Sequence, residues 1–150
     1  MNIYYSLDEI KTDKIIFHKP IPNKFSNYTQ FYKLIYNTNI FTLNSLLLYF
    51  DVNYSIISIE NERCKLSLSY PDAFLLKLRT FEEELIKRLN VHLNKSVVLS
   101  LYNTILHNNV MYVNDVKNNK IRVFVRISGI WETDTHIGLT IKLSINSKTI

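Results

Sequence analysis

A chain of 150 residues is long enough to bury a sizeable core as one domain without metals or disulfide staples. Hydrophobic residues make up 47% and charged residues 21%, which excludes a chain disordered by composition, and the net charge of +5 favours anionic partners. The lone cysteine, Cys64, excludes an internal disulfide framework and fits a reducing compartment, cytosolic or nuclear.

Asn, Ile, Lys and Tyr are used heavily, while glycine occurs twice and alanine once. Codons of the first four are AT-rich, so genome composition raises Lys and Tyr for reasons unrelated to function. Placement, not number, must carry any argument from these residues. No apolar run approaches the roughly 20 residues that span a bilayer. The opening Met1-Asn2-Ile3-Tyr4-Tyr5 lacks the basic and apolar regions of a secretory signal. A single domain over residues 1–150, with no membrane association, is the expectation.

Residues 15–17 form a short apolar run, closed by His18-Lys19-Pro20-Ile21-Pro22, where the prolines impose an extended or turning path. Residues 28–36 and 41–50 are rich in aromatic and β-branched side chains and predict strands. Residues 56–59 and 64–70 predict another pair around the polar turn Glu60-Asn61-Glu62-Arg63, with Cys64 on the apolar side beside Leu66 and Leu68. A helix is predicted from Pro71-Asp72, because Phe74, Leu78, Phe81, Leu85 and Leu89 recur at spacings of four and three. Lys87 and Arg88 complement the end of its dipole and sit four residues after Glu83 and Glu84. The triplet Glu82-Glu83-Glu84 reads as a solvated helix face.

Strands resume at 97–102, 110–113, 120–128 and 139–145. Along 120–128, Ile121, Val123, Val125 and Ile127 point one way, and Lys120, Arg122, Phe124, Arg126 and Ser128 the other. Leu139, Ile141, Leu143 and Ile145 likewise oppose Thr140, Lys142 and Ser144. Strands, one helix, then more strands predict a mainly β fold with one long amphipathic helix. An OB-like barrel fits that order. An α+β sandwich with one covering helix is the alternative.

Little in the sequence suggests catalysis. Gly129 and Gly138 form no phosphate loop, and flank residues 130–137, where a bulge or tight turn would use their backbone freedom. His18, His92, His107 and His136 are scattered without metal-ligand spacing, so no metal or other cofactor is expected. An enzyme reading rests on Asp72, Asp115 and Lys117, which echo the acidic residues and lysine of metal-dependent nucleases. Asp72 also suits a helix start, and Asp115 a polar loop, so a non-enzyme is expected.

The outward row Lys120, Arg122, Phe124, Arg126 is the most informative pattern. Cations at alternate positions neutralise phosphates while a ring between them stacks on a base. An antiparallel return of 139–145 would bring Lys142 to the same face. A second basic and aromatic stretch, residues 14–50, holds no acidic residue. There Tyr28, Tyr32 and Lys33 are candidates for a groove, since alternation cannot bury every ring on one side.

Ile127-Ser128-Gly129-Ile130-Trp131-Glu132-Thr133, together with Ile137-Gly138-Leu139-Thr140-Ile141-Lys142-Leu143, resembles the C-terminal signature of OB-fold single-stranded-DNA-binding proteins of large double-stranded DNA viruses. The amphipathic helix with its Phe81-Glu82 pair is similar in outline. The resemblance implies an accessory protein of replication or recombination, coating single-stranded DNA in the host nucleus or at a viral replication site. The chain ends Asn146-Ser147-Lys148-Thr149-Ile150, without the acidic tail that several such binders use to recruit partners. Single-stranded DNA is thus the expected partner, with RNA and self-association left open. The rival reading is a structural or protein-interaction module such as a virion component.

Overall fold

The computed structural model describes residues 2–22, 29–114 and 120–146. Its first seven strands are β1 (Tyr4–Tyr5), β2 (Ile15–Phe17), β3 (Ile21–Pro22), β4 (Gln30–Asn37), β5 (Thr42–Leu43), β6 (Leu46–Glu60) and β7 (Arg63–Ser69). Helix α1 (Asp72–Leu93), strand β8 (Ser96–Val98) and helix α2 (Ser100–His107) follow, and β9 (Val110–Val113), β10 (Lys120–Glu132) and β11 (His136–Asn146) complete the sheet. The fold is mainly β. None of the described helices is long and apolar enough to cross a membrane.

Strand β10 organises the sheet. β11 lines one edge of it, while β6 pairs with its first part and β4 with residues 129–132. The pairing with β11 shifts between Ile127 and Gly129, so Ser128 is the extra residue of a bulge. The main path runs β2-β4-β10-β6-β7-β9, and its end strands do not pair with each other. The sheet is therefore open, and the closed form of the expected OB-like barrel is corrected on that point.

One face of this sheet carries the core. Val125, Ile127 and Ile130 of β10 are fully buried, and Leu78, Leu85 and Ile86 of α1 and Leu101 and Ile105 of α2 join the same packing. A second cluster gathers Val52, Leu66, Leu68, Ile121 and Val123, with half-buried Cys64 against it. The predicted stripe on α1 thus finds its partner, and Cys64 packs as a small apolar residue.

Three features differ from the expectation. Residues 41–50 and 56–59 belong largely to one 15-residue strand, β6. Its polar residues Asp51, Asn53 and Ser55 are exposed while Val52 is buried, so they continue the alternation instead of ending it. The predicted strand 97–102 divides into β8 and α2. Leu101 and Ile105, four apart, are both buried on α2, so a short apolar run that suits either period is settled as a helix by its neighbours.

The acidic triplet is the third. Glu83 and Glu84 are solvated, but Glu82 is fully buried. Its carboxylate accepts hydrogen bonds from the backbone N–H of Leu101 at 2.7 Å and of Tyr102 at 2.8 Å. Leu99, the residue that precedes α2, supplies no side-chain cap, so Glu82 caps this helix from another one. Burial raises the Glu82 carboxyl above its ordinary value despite these two donors. Glu83 meets Arg79 at 2.8 Å rather than Lys87. Arg88 donates to the Thr12 carbonyl at 2.7 Å and not to Glu84.

Backbone freedom is needed at places other than the glycines. Neither glycine has positive φ, whereas Asn61 (φ 50°) and Glu62 (φ 65°) do, at the turn joining β6 to β7. Positive φ at both central residues suits the twist of a two-residue hairpin. Asn tolerates this conformation, but Glu carries a Cβ penalty there. Glu62→Gly is therefore expected to stabilise the domain by about 1 kcal/mol, read as a raised Tm.

Candidate nucleic-acid interface

Alternation along β10 puts its fully buried row on the core and the opposite row on the outer surface. Lys120 and Arg126 are exposed, and Arg122 and Phe124 are half-buried. In register, Arg126 stands beside Leu47 of β6 and Lys142 of β11, and Phe124 beside Tyr49 and Ser144. The antiparallel return thus brings exposed Lys142 next to Arg126. Neither Arg126 nor Lys142 has an ion-pair partner among the described residues.

Arg122 is different. Its guanidinium grips Asp51 of β6 with two bonds, Nε to Oδ1 at 2.8 Å and Nη2 to Oδ2 at 3.2 Å. It also lies 4.5 Å from the centre of the Tyr49 ring. Asp51 holds the guanidinium firmly in its charged form. A residue taken from sequence as a free phosphate ligand is therefore already partnered. Its charge is largely balanced, and its planar group is fixed over an aromatic ring.

Phe124 is partnered too, by a ring rather than a charge. Tyr4 of β1 lies with its centroid 4.9 Å from that of Phe124, tilted by 58°. Tyr4 is 42% exposed, so the pair forms one aromatic step with an accessible edge. Sequence reasoning missed Tyr4, because β1 reaches this face through parallel pairing of Tyr4 with Leu47, 43 positions away in the chain. Tyr49 was legible in principle. It alternates with buried Leu48 and Val52 on a predicted strand, which turns it outward.

The second basic stretch divides. Lys33 is exposed on β4, in register with Gly129, one row beyond the bulge. Tyr32 faces the other way and is only 8% exposed. Its hydroxyl donates to Glu132 Oε1 at 2.9 Å, and Lys95 Nζ lies 3.2 Å from Glu132 Oε2. Burial, with the Glu132 carboxylate adding to it, pushes the Tyr32 hydroxyl up to about 12. Tyr32 is thus a core residue tying β4 to β10, not a groove residue. Tyr28 lies outside the described residues.

Both glycines have their use on this outer side. A Cβ on Gly129 would meet the Tyr32 carbonyl and come within 2.7–2.8 Å of the Phe31 ring. A Cβ on Gly138 would come within 2.6 Å of the Trp131 ring. The two rings thus lie directly on the sheet, and Trp131 is held further by its indole N–H on the Leu139 carbonyl at 3.1 Å. The surface therefore continues from Lys120 past Phe124 and Arg126 to Phe31 and Trp131.

Of the three residues of the enzyme reading, one is described. Asp72 stands exposed at the first residue of α1, and Asp115 and Lys117 lie outside the described residues. Among the described residues, no three His, Cys, Asp or Glu side chains are grouped to hold a metal ion. No family model matches the sequence, and neither a curated protein nor a solved structure matches the chain.

Proposed function

We propose that the chain binds single-stranded nucleic acid across the outer face of β6, β10 and β11, as a non-enzymatic accessory to DNA replication or recombination. The observation that carries this reading is the placing of Arg126 and Lys142, both without an ion-pair partner among the described residues, side by side and next to the Tyr4–Phe124 aromatic step. Unpaired cations neutralise phosphates and release counterions, and accessible rings stack bases irrespective of sequence. A long strand that bends at a bulge and changes partners also suits a partly open OB-like barrel, the architecture the sequence resemblance implies.

Fluorescence anisotropy with labelled single-stranded and duplex oligonucleotides over a salt series tests the proposal. Preference for the single strand and a negative salt slope are expected. Absence of binding to any oligonucleotide at low salt would sink it. Phe124→Ala should weaken binding by about 1–3 kcal/mol with an almost unchanged slope. Fully buried Val123 is the control, since Val123→Ala should lower Tm and spare the interface.

The Asp51–Arg122 pair allows a sharper test. In Asp51→Asn the guanidinium loses its counter-charge and becomes available to a phosphate. Binding is expected to tighten severalfold at low salt, with the slope steeper by roughly 0.7 units on a single strand. Arg122→Ala should cost less than Arg126→Ala, because only Arg126 is free at the outset. An equal loss in the two alanine variants would count against this division.

One observation favours the rival reading of a protein-interaction module. Ile56, Ile57 and Ile59 on the β6–β7 hairpin are 51%, 52% and 68% exposed. Three exposed isoleucines so close together suit a protein contact better than a polyanion. Binding to no oligonucleotide, with a mass by light scattering that rises with concentration, would establish that reading.

A further inference from the structure

The outer face ends in a cleft of about 320 Å³ whose lining includes Asn2, Phe41, Asn44, Ser45, Leu47 and Arg126. That volume is at the lower end for small-molecule sites and suits one compact ligand, not a chain. Arg126 and Leu47 belong to the sheet. The other four come from the residue before Ile3-Tyr4 and from the β4–β5 and β5–β6 connections, so the cleft is a corner between the sheet and two connecting segments.

Its chemistry is mixed in an informative way. Asn2 and Asn44 each bring an amide with both donors and acceptors, and neither side chain has a hydrogen-bond partner among the described residues. Ser45 is 9% exposed, with a hydroxyl likewise unpartnered among them. Phe41 is 37% exposed, a large ring left partly open at the cleft. Its backbone is held by Thr38, whose Oγ1 accepts from the Phe41 N–H at 2.9 Å and donates to the Phe41 carbonyl at 3.1 Å. Arg126 brings a cation, unpaired among the described residues, at the side that opens to the sheet. A half-open ring, amides that match base edges and one cation fit a nucleotide better than a plain anion, which needs neither ring nor amide.

We propose that this cleft is a nucleotide pocket: it takes one base out of the bound strand, stacked on Phe41 and hydrogen-bonded by Asn2 and Asn44, with the adjoining phosphate on Arg126. The proposal rests on the reading of the outer face as a single-strand interface and gives that strand a fixed point. Bases elsewhere stack on Tyr4 and Phe124 without being read, whereas the base in the cleft meets hydrogen-bonding groups, so a modest base preference arises at one position.

The test uses the full ¹⁵N-labelled chain, with thymidine 5′-monophosphate and inorganic phosphate as separate NMR probes, beside the anisotropy experiment. The mononucleotide at millimolar concentration should shift the resonances of Phe41, Asn44 and Ser45, and inorganic phosphate should shift that of the Arg126 side chain alone. Phe41→Ala should weaken the mononucleotide effect roughly ten-fold while leaving that of phosphate intact. Asn44→Ala, a milder change, should do the same should Phe41→Ala disturb folding. Oligonucleotide binding without mononucleotide shifts would overturn the pocket and leave the interface standing. Mononucleotide shifts without oligonucleotide binding would overturn the interface and support the pocket alone. Identical shifts from both probes would reduce the site to an anion contact and overturn the proposal.

Discussion

Replacing Glu82 by alanine is expected to remove about 3–5 kcal/mol of stability, measured by denaturant unfolding. The carboxylate is the partner of two backbone N–H groups at the start of α2, and both would be left unpaired, that of Leu101 in a buried place and that of Tyr102 in a half-buried one. Each orphaned donor costs on the order of 1–3 kcal/mol, and the missing side chain adds a cavity. An effect below 1 kcal/mol would mean that water reaches the start of α2 and that Glu82 is dispensable.

Glu82 also gives a pH dependence whose sign is fixed. Its folded value is raised above the ordinary one, with burial the largest cause, so the fold favours the protonated carboxyl. The stability from that preference is complete below the ordinary glutamate value and is lost as pH rises through the raised value. The advantage of the wild-type chain over Glu82→Gln should therefore shrink from acid towards neutral pH. A growing advantage would show that the hydrogen bonds outweigh burial.

Gly129→Val is the second large effect, a loss of about 3 kcal/mol, towards the upper end of what overpacking costs. Even the first carbon of a side chain would run into the Tyr32 carbonyl and the Phe31 ring. The carbonyl cannot yield without breaking the β4–β10 pairing, so backbone must move. Gly129→Ala should cost less than valine but still destabilise measurably. A neutral alanine variant, judged by Tm, would show that the rings sit less closely on the sheet than the geometry states.

Much of the sheet was legible because its signal is local. The alternation of Ile121, Val123, Val125 and Ile127 with Lys120, Arg122, Phe124 and Arg126 fixes both faces of β10 without knowledge of any neighbour. The same holds for the stripe on α1. What the sequence hid is pairing across distance. Asp51 meets Arg122 71 residues on, and Tyr4 covers Phe124 through a two-residue strand too short for any periodic signal. Tyr32 misled because a ring on an alternating strand is equally at home on either face. Only the Glu132 carboxylate, 100 residues later, decides that it turns inward. The start of α2 reads as the end of a strand, 97–102, for a related reason: the eight residues of α2 gain their helical form from packing and from a cap that another helix lends.

The central place of β10 has a consequence for how the chain is made. β4 and β6 are among the early elements to leave the ribosome, yet the strand with which both pair, one after the other along the same edge, is 120–132. Until that segment emerges, β6 carries an open row of backbone donors and acceptors beside Leu46, Leu48 and Phe50, and the strand that links it to β4 in the sheet is missing. Such distant pairings also make spontaneous folding slow, since the intervening loop must be ordered before the contact repays it. Chains truncated before residue 120 should accumulate as aggregates, and full-length chains should gain soluble yield when synthesis is slowed by lower temperature.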